Sequence, residues 1–456
     1  MGAIADMVEG AGVATLARAP WRYPAEVANA FADEPFALAL LSGGSGRWSY
    51  LMRAPVRVLL LPSGDGGAWS ALADLMGPPQ AGAAGGPPFQ GGVAGLAAYE
   101  LGAHAEPSVP WRQRPGWPDL AAGLYLAILA FDHETRRVIA VGRGPDRETA
   151  DRRADEALCW LAAAGQPAPT GSLAEGFAPI GSGADYEAAV SAVTRAIAEG
   201  EVFQANIARA WGGRLRESAR PFDLVSRLLA ASPAPFAAYM RLPGLAVVSN
   251  SPERFLSASF GGRVEAQPIK GTRPRGSDPA GDAALARDLL ASAKDRAENL
   301  MIVDLMRNDL SRVCAPGTVR AAPLFSLESF ANVHHLVSTV TGQLAPGRTA
   351  LDLMRAAFPP GSITGAPKVQ AMRVIDRHEA PRGAYCGSLF WAGFDGALDS
   401  SVLIRTVQFE EDSAGGWLFE ARAGAGIVAD SQPAAEREET EAKIAALAAA
   451  LTGEAP

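Results

Sequence analysis

A chain of 456 residues with a net charge of −8 can bury a large interior and offers no cationic stripe, so a stapled mini-protein is excluded and nucleic acid is not an expected partner. Its three cysteines, Cys159, Cys314 and Cys386, stand far apart and form no CxxC pair. That argues against a disulfide framework or a thiolate metal site and fits a reducing, cytoplasmic setting.

The first sheet signals are "FQGGVAGLAAYELG" and "LYLAILAFDHETRRVIAVG", the second reading as a hairpin that turns at 132–136. Within it lies the longest uncharged apolar run, 120–131, between Asp119 and Asp132. A membrane helix needs about 20 such residues, so this run is read as one buried strand and no membrane span is expected. No basic segment followed by an apolar one opens the chain, so no secretory signal is expected either. From 162 to 183 ("AAAGQPAPTGSLAEGFAPIGSG") Gly, Pro, Ala and Ser replace any periodicity. This divides the chain into a region 1–165, a connection 166–184 and a region 185–451.

Asp185 then reads as a helix cap, followed by Tyr186, Ala189, Val190, Val193 and Ile197 at helical spacing and Gly200 as the stop. Strand signals continue in "AAYMRL", "LAVVSN", "RFLSASF" and "GRVEAQPIK", with Gly261 and Gly262 turning a hairpin between the last two. Helical patterns run from about 282 to 312, strands return near 398–423, and a last helix occupies 434–451, with Ser431 or Gln432 as its cap and Pro433 in its first turn. Strands and helices gathered into separate runs predict an α+β fold.

Several side chains in these elements carry chemistry. Asp295 and Glu298 are three apart in "AKDRAENLMIVDLMRND", and Glu436 and Glu439 repeat that spacing in "AEREETEAK"; on a helix each pair shares one face. Facing each other, two such helices supply the hard oxygen ligands that Mg²⁺ prefers. The same spacing also describes solvated helix faces, on which Glu439 and Lys443 would form a surface pair worth only a few tenths of a kcal/mol. Gly424 and Gly426 would let backbone N–H groups approach an anion, or simply form a turn between strand and helix. Arg405, set among apolar residues in "VLIRTVQF", calls for an anionic partner unless its head reaches solvent. Lys270 shares parity with Val264, Ala266 and Pro268. An amine leaning to the apolar side of that strand has a lowered pKa and a reactive neutral form, whereas a surface cation is the reading that spacing alone favours. Glu253, at a strand end, is a general acid if burial raises its pKa and an ordinary exposed carboxylate otherwise. His335 is either a core histidine or a site residue.

The blocks "SPERF", "PIKGTRPRG", "ENLMIVDLMRNDLSRV", "PGSITGAPK", "YCGSLFWAGFDG", "IRT" and "GAGIVADS", in this order over 185–450, resemble the chorismate-utilising enzymes. These include anthranilate synthase component I, aminodeoxychorismate synthase component I and the isochorismate and salicylate synthases. The region before 162 resembles them more loosely, through "LALLSGGSGRWSYL" and "FQGGVAGLAAYE". The resemblance implies antiparallel sheets packed as a sandwich with helices outside, and a pocket between the sheets and the two carboxylate helices.

Residue by residue, it implies Lys270 as nucleophile and Glu253 as general acid. Glu298 and Glu439 are implied as principal Mg²⁺ ligands, with Glu436 and Asp295 as outer or alternate ones. Asp295 departs from the commoner glutamate and, one methylene shorter, is expected to act through water. Thr272, His335, Thr364, Tyr385, Arg405, Lys443 and the Gly424 and Gly426 backbone resemble the substrate contacts. Anthranilate synthases usually carry alanine where Lys270 stands, and isochorismate and salicylate synthases carry lysine where Gln204 stands. Both positions point to the para-aminobenzoate and folate branch, in which chorismate and ammonia give 4-amino-4-deoxychorismate; anthranilate synthase component I is the alternative.

No GxCxG elbow with a downstream HxE is present, so ammonia is expected from a separate glutamine amidotransferase subunit. The lyase that completes para-aminobenzoate is expected to be another protein, since little chain follows 451. Ser42, Arg47, Trp48 and Pro235 fall where the family can hold tryptophan, but "LLSGG" lacks the glutamate of the inhibitory pattern, so feedback inhibition is not expected.

Overall fold

The computed structural model describes residues 11–43, 46–62, 64, 67–329 and 333–453. Its strands, all paired antiparallel among the described residues, form a 12-stranded, a 9-stranded and a 3-stranded sheet. With the helices laid outside them this is the expected α+β architecture.

The two large sheets pack face to face. Alternation along each strand sends one set of side chains inward, so Leu38 and Met52 from the first sheet and Leu96, Leu389 and Trp391 from the second share one apolar cluster. On the outer face of the 12-stranded sheet, Phe409 and Tyr239 pack under the helix Pro221–Ala231 and the last helix, Pro433–Thr452. The 9-stranded sheet is covered by the helix Ala293–Ser311, whose Ile302, Val303, Met306 and Leu310 recur at helical spacing and join Leu256 and Val264 in another core.

Both large sheets take strands from either side of the connection 162–183. In the 12-stranded sheet Leu38–Leu41 pairs with Phe236–Leu242, and in the 9-stranded sheet Gly92–Ala97 pairs with Ser388–Gly393. The connection itself is mostly irregular, apart from a short strand, Ala178–Ile180, laid on Gln204–Arg214.

Three expected elements change on folding. The apolar run 120–131 is not one strand but two: Pro118–Tyr125 lies in the 9-stranded sheet and Ala127–Asp132 in the 12-stranded one. The chain passes between sheets at Leu126, and both halves are apolar because both are covered. Similarly, "GRVEAQPIK" breaks after Arg263–Ala266, since Pro268 has no N–H to extend a ladder; Ile269–Pro274 belongs to the 3-stranded sheet. Lys270 therefore does not share a strand with Val264 and Ala266, and the parity argument for it lapses. The helix expected to be capped by Asp185 starts at Ser182, whose hydroxyl caps the Asp185 N–H while the Asp185 carboxylate accepts from the Ser182 N–H, a reciprocal box.

Candidate active site

A cavity of about 650 Å³ lies where the 3-stranded sheet, the ends of the large sheets and the helices Ala293–Ser311 and Pro433–Thr452 meet, a size suited to a small molecule. Its floor is a pair of long strands, Gln204–Arg214 and Trp417–Ile427, in which Asn206 opposes Gly426 and Ala208 opposes Gly424. The two glycines are thus inside a strand, not in a turn. A Cβ at Gly424 would stand 2.6 Å from Asn206 Oδ1 and 3.1 Å from the Tyr385 hydroxyl, and one at Gly426 would stand 2.6 Å from Gln204 Nε2. Any side chain there would fill the floor.

Lys270 enters from the 3-stranded sheet, with Nζ 3.5 Å from the place a Gly426 Cβ would occupy. Burial lowers its pKa; Glu298, Glu253 and Glu439 oppose that shift and Lys443 adds to it. Glu253 is 5% exposed. Desolvation pushes its carboxyl up to about 7, against hydrogen bonds from Ser362 and the Ile269 N–H and the nearby charge of Lys270. A carboxyl that holds its proton in about half the molecules at neutral pH and a desolvated amine thus line one cavity.

The helices that carry the two carboxylate pairs meet at this cavity. Glu298, Glu436, Glu439 and Asp295 all line the cavity. Burial raises the pKa of Glu298 and of Glu436, and the charge of Glu439 raises both further. Among the described residues no three carboxylate, histidine or cysteine side chains gather closely enough to hold an ion alone. Mg²⁺ is ordinarily held by one or two carboxylates plus water and substrate oxygens, and mutually repelling hard oxygen donors beside open volume fit it. Glu439 is also paired with Lys443 at 2.6 Å, and Lys443 Nζ donates to the Gly424 carbonyl at 2.8 Å. Asp295 faces differently: it accepts from Arg273 Nη2 at 3.1 Å.

Thr272, His335, Tyr385 and Arg405 also line the cavity. Thr272 Oγ1 and His335 Nδ1 are 2.9 Å apart, and burial lowers the His335 pKa to about 4, so its ring is neutral at pH 7. Arg405 has a left-handed backbone, φ 50, a strain that folded structures retain mainly at functional positions. Burial lowers its pKa and no carboxylate among the described residues offsets this, which leaves the guanidinium available to an anion. Thr364 stands one layer behind the wall, fully buried, with its hydroxyl donating to the Pro360 and Gly361 carbonyls.

Sequence reasoning missed Asn206, Ser362, Arg422 and Lys294, which also line the cavity. Two had a signal: Ser362 lies inside "PGSITGAPK", and Asn206 is two positions from Gln204, hence on the same strand face. Arg422 is 5% exposed and bonded to Glu420 and to the Ala380 and Pro381 carbonyls, so it braces the floor.

A second cavity, of about 460 Å³, is lined by Ser42, Arg47, Trp48 and Pro235. Arg47 is tied to Asp132 at 2.8 Å. The two cavities share a wall formed by Pro252 and Ile269.

The family model of chorismate binding enzymes matches residues 38–449. Aminodeoxychorismate synthase component 1 of Klebsiella aerogenes is 43% identical over 361 residues, which cover 78% of this chain and 76% of that protein. Anthranilate synthase component 1 of Streptomyces coelicolor is 40% identical over 433 residues, 90% of this chain and 82% of that protein. Among solved structures, anthranilate synthase component I from Streptococcus pneumoniae superposes with a TM-score of 0.76 at 28% identity, over 91% of this chain and 94% of that one. The menaquinone-specific isochorismate synthase of Escherichia coli superposes with a TM-score of 0.73 at 17% identity over 99% of both chains, a likeness of fold alone.

Proposed function

The chain belongs to the chorismate-binding enzyme family, and from that premise we propose that it is an aminodeoxychorismate synthase component I, converting chorismate and ammonia to 4-amino-4-deoxychorismate. The observation that carries this reading is Lys270, an amine whose pKa burial lowers, lining one cavity with a Glu253 carboxyl that burial raises to about 7. Alanine at position 270 would offer no nucleophile, and anthranilate synthases usually have it.

In the proposed sequence the neutral Lys270 amine adds to ring carbon C2 of chorismate, the double bonds shift, and the C4 hydroxyl leaves as water with the proton of Glu253. Ammonia then bonds to C4, the double bonds shift back, and the C2–N bond to Lys270 breaks. The proton gained with ammonia returns to Glu253, so atoms and charges balance and the enzyme is restored. Two substitutions replace one difficult displacement. Arg405 and the Tyr385 hydroxyl orient carboxylates of the substrate, and neutral His335 with Thr272 lines the ring's edge. Mg²⁺ would be held by Glu298 and Glu439 with Glu436 at hand, and when bound it would neutralise the substrate's ring carboxylate. Ammonia would come from a separate glutamine amidotransferase subunit.

The test is product identity. Incubated with chorismate, Mg²⁺ and an ammonium salt, the protein should form 4-amino-4-deoxychorismate, and mass spectrometry should find a chorismate-derived adduct on Lys270. Fluorescent anthranilate formed with no lyase added would overturn the assignment in favour of the anthranilate branch.

A further inference from the structure

Lys270 sits where the backbone falls out of register with its own sheet, and among the described residues the tie to the neighbouring strand there runs between the Gly271 backbone and the His335 ring. Ile269–Pro274 is an edge strand of the 3-stranded sheet, and its ladder with Val333–Val337 is interrupted between Ile269, opposite Val337, and Thr272, opposite His335. Lys270 and Gly271 are the bulge. Gly271 has φ +85, and a Cβ there would come within 2.9 Å of both the Asp295 Cβ and the Leu289 Cδ1, the apolar contact lying beside the charged one. The bulge therefore leans on Asp295, and two residues along the same strand Arg273 grips that carboxylate at 3.1 Å while its Nε reaches Asp288 at 2.7 Å. Ser292 Oγ accepts from the Asp295 N–H at 3.2 Å, which fixes Asp295 in the first turn of the helix that carries Glu298.

We propose that Asp295 is a positioning residue and not a metal ligand: through Arg273 and its contact with Gly271 it latches the bulge bearing Lys270 to the helix bearing Glu298, so that amine and carboxylate keep their spacing. The shorter side chain at this position is then adapted to the latch.

The inference rests on Lys270 as the working amine, and its test reads quantities that do not depend on which product forms. Three variants, Asp295→Ala, Asp295→Asn and Arg273→Met, are compared with the double variant Asp295→Ala/Arg273→Met for Mn²⁺ affinity by electron paramagnetic resonance, for amide exchange across 269–274, and for kcat and KM with chorismate. The latch predicts a Mn²⁺ Kd within about twofold of the parent, exchange accelerated alike in Asp295→Ala and Arg273→Met and no further in the double variant, and kcat lower by on the order of tenfold to a hundredfold with KM nearly unchanged. Asp295→Asn, whose amide oxygen still accepts from Arg273, should recover most of kcat. A Mn²⁺ affinity lowered about tenfold or more in Asp295→Ala but not in Arg273→Met would make Asp295 part of the metal site and overturn the latch. Unaltered exchange in Arg273→Met would overturn it equally, and that variant carries the test should Asp295→Ala not fold.

Discussion

The sandwich and the segment bearing Lys270 are held together by different forces. Between the large sheets the contacts are apolar, among side chains such as Leu38, Leu96 and Val247, each fully buried. The helix Pro279–Ala291, which lies over the 3-stranded sheet, buries only Leu289. Polar contacts fasten it instead: ion pairs of Asp282 with Arg275 at 2.7 Å and of Asp288 with Arg273 at 2.7 Å, and a hydrogen bond between Asp282 and His334 at 2.9 Å. Apolar packing is dense and intolerant of displacement, whereas exposed ion pairs are weak and adjustable. The cavity thus has a stiff floor, Gly424, Gly426 and Tyr385, and a softer side that delivers the amine.

Glu253 belongs to the stiff side and accepts a hydrogen bond from the soft one, the Ile269 N–H. In the proposed mechanism Glu253 is the general acid and must be protonated, so with its pKa raised to about 7 kcat/KM should fall as pH rises through that value. Glu253→Gln should lower kcat by about 10²–10⁴-fold and abolish that alkaline limb. Linkage gives an independent check. The folded state holds this proton more tightly than the unfolded chain, so the stability it contributes is present below the ordinary glutamate pKa and is lost as pH climbs through about 7. Glu253→Gln should flatten that part of the stability profile; an unchanged pH–rate limb would mean that another group supplies the proton.

Cutting into the sandwich should separate stability from chemistry. Leu38→Ala removes a fully buried side chain from the cluster between the sheets and should cost about 2–5 kcal/mol in denaturant unfolding, with KM for chorismate unmoved in the protein that remains folded. A KM that rises in step with the lost stability would show the floor to be less independent of that core than its packing implies.

Much of this division is legible in the sequence. Alternating apolar strands and the helix with Ile302, Val303, Met306 and Leu310 at its spacing announce the stiff layers, and the three-residue spacing of the carboxylates places each pair on one helix face without saying what that face meets. What local pattern cannot show is where a chain changes sheets. Leu126 and Pro268 interrupt runs that read as continuous, because the run before and the run after are each covered by a different partner. The role proposed for Lys270 rests on its resemblance to a family motif; the strand parity offered for it does not exist in the fold. Asp295 illustrates the remaining gap, since its spacing to Glu298 is that of a ligand pair while its carboxylate is held by Arg273, a partner 22 residues away in sequence.

The softest contact gives the smallest effect and the sharpest check on the comparison. Arg275, with help from the Gly276 N–H and His334, keeps the Asp282 carboxyl far below the usual carboxylate range, so it is charged at any pH at which the fold is expected to persist. Asp282→Asn should therefore speed amide exchange across 277–291 severalfold while leaving the melting temperature and the exchange of the sandwich strands nearly unmoved. Raising salt from about 0.1 M to about 1 M shortens the screening length from about 10 Å to about 3 Å and should loosen the same helix in the parent protein more than in the variant, whose tether is already weakened. If neither change touches that exchange, the single buried leucine, Leu289, is holding the helix, and charge and apolar packing do not divide the molecule as its contacts suggest.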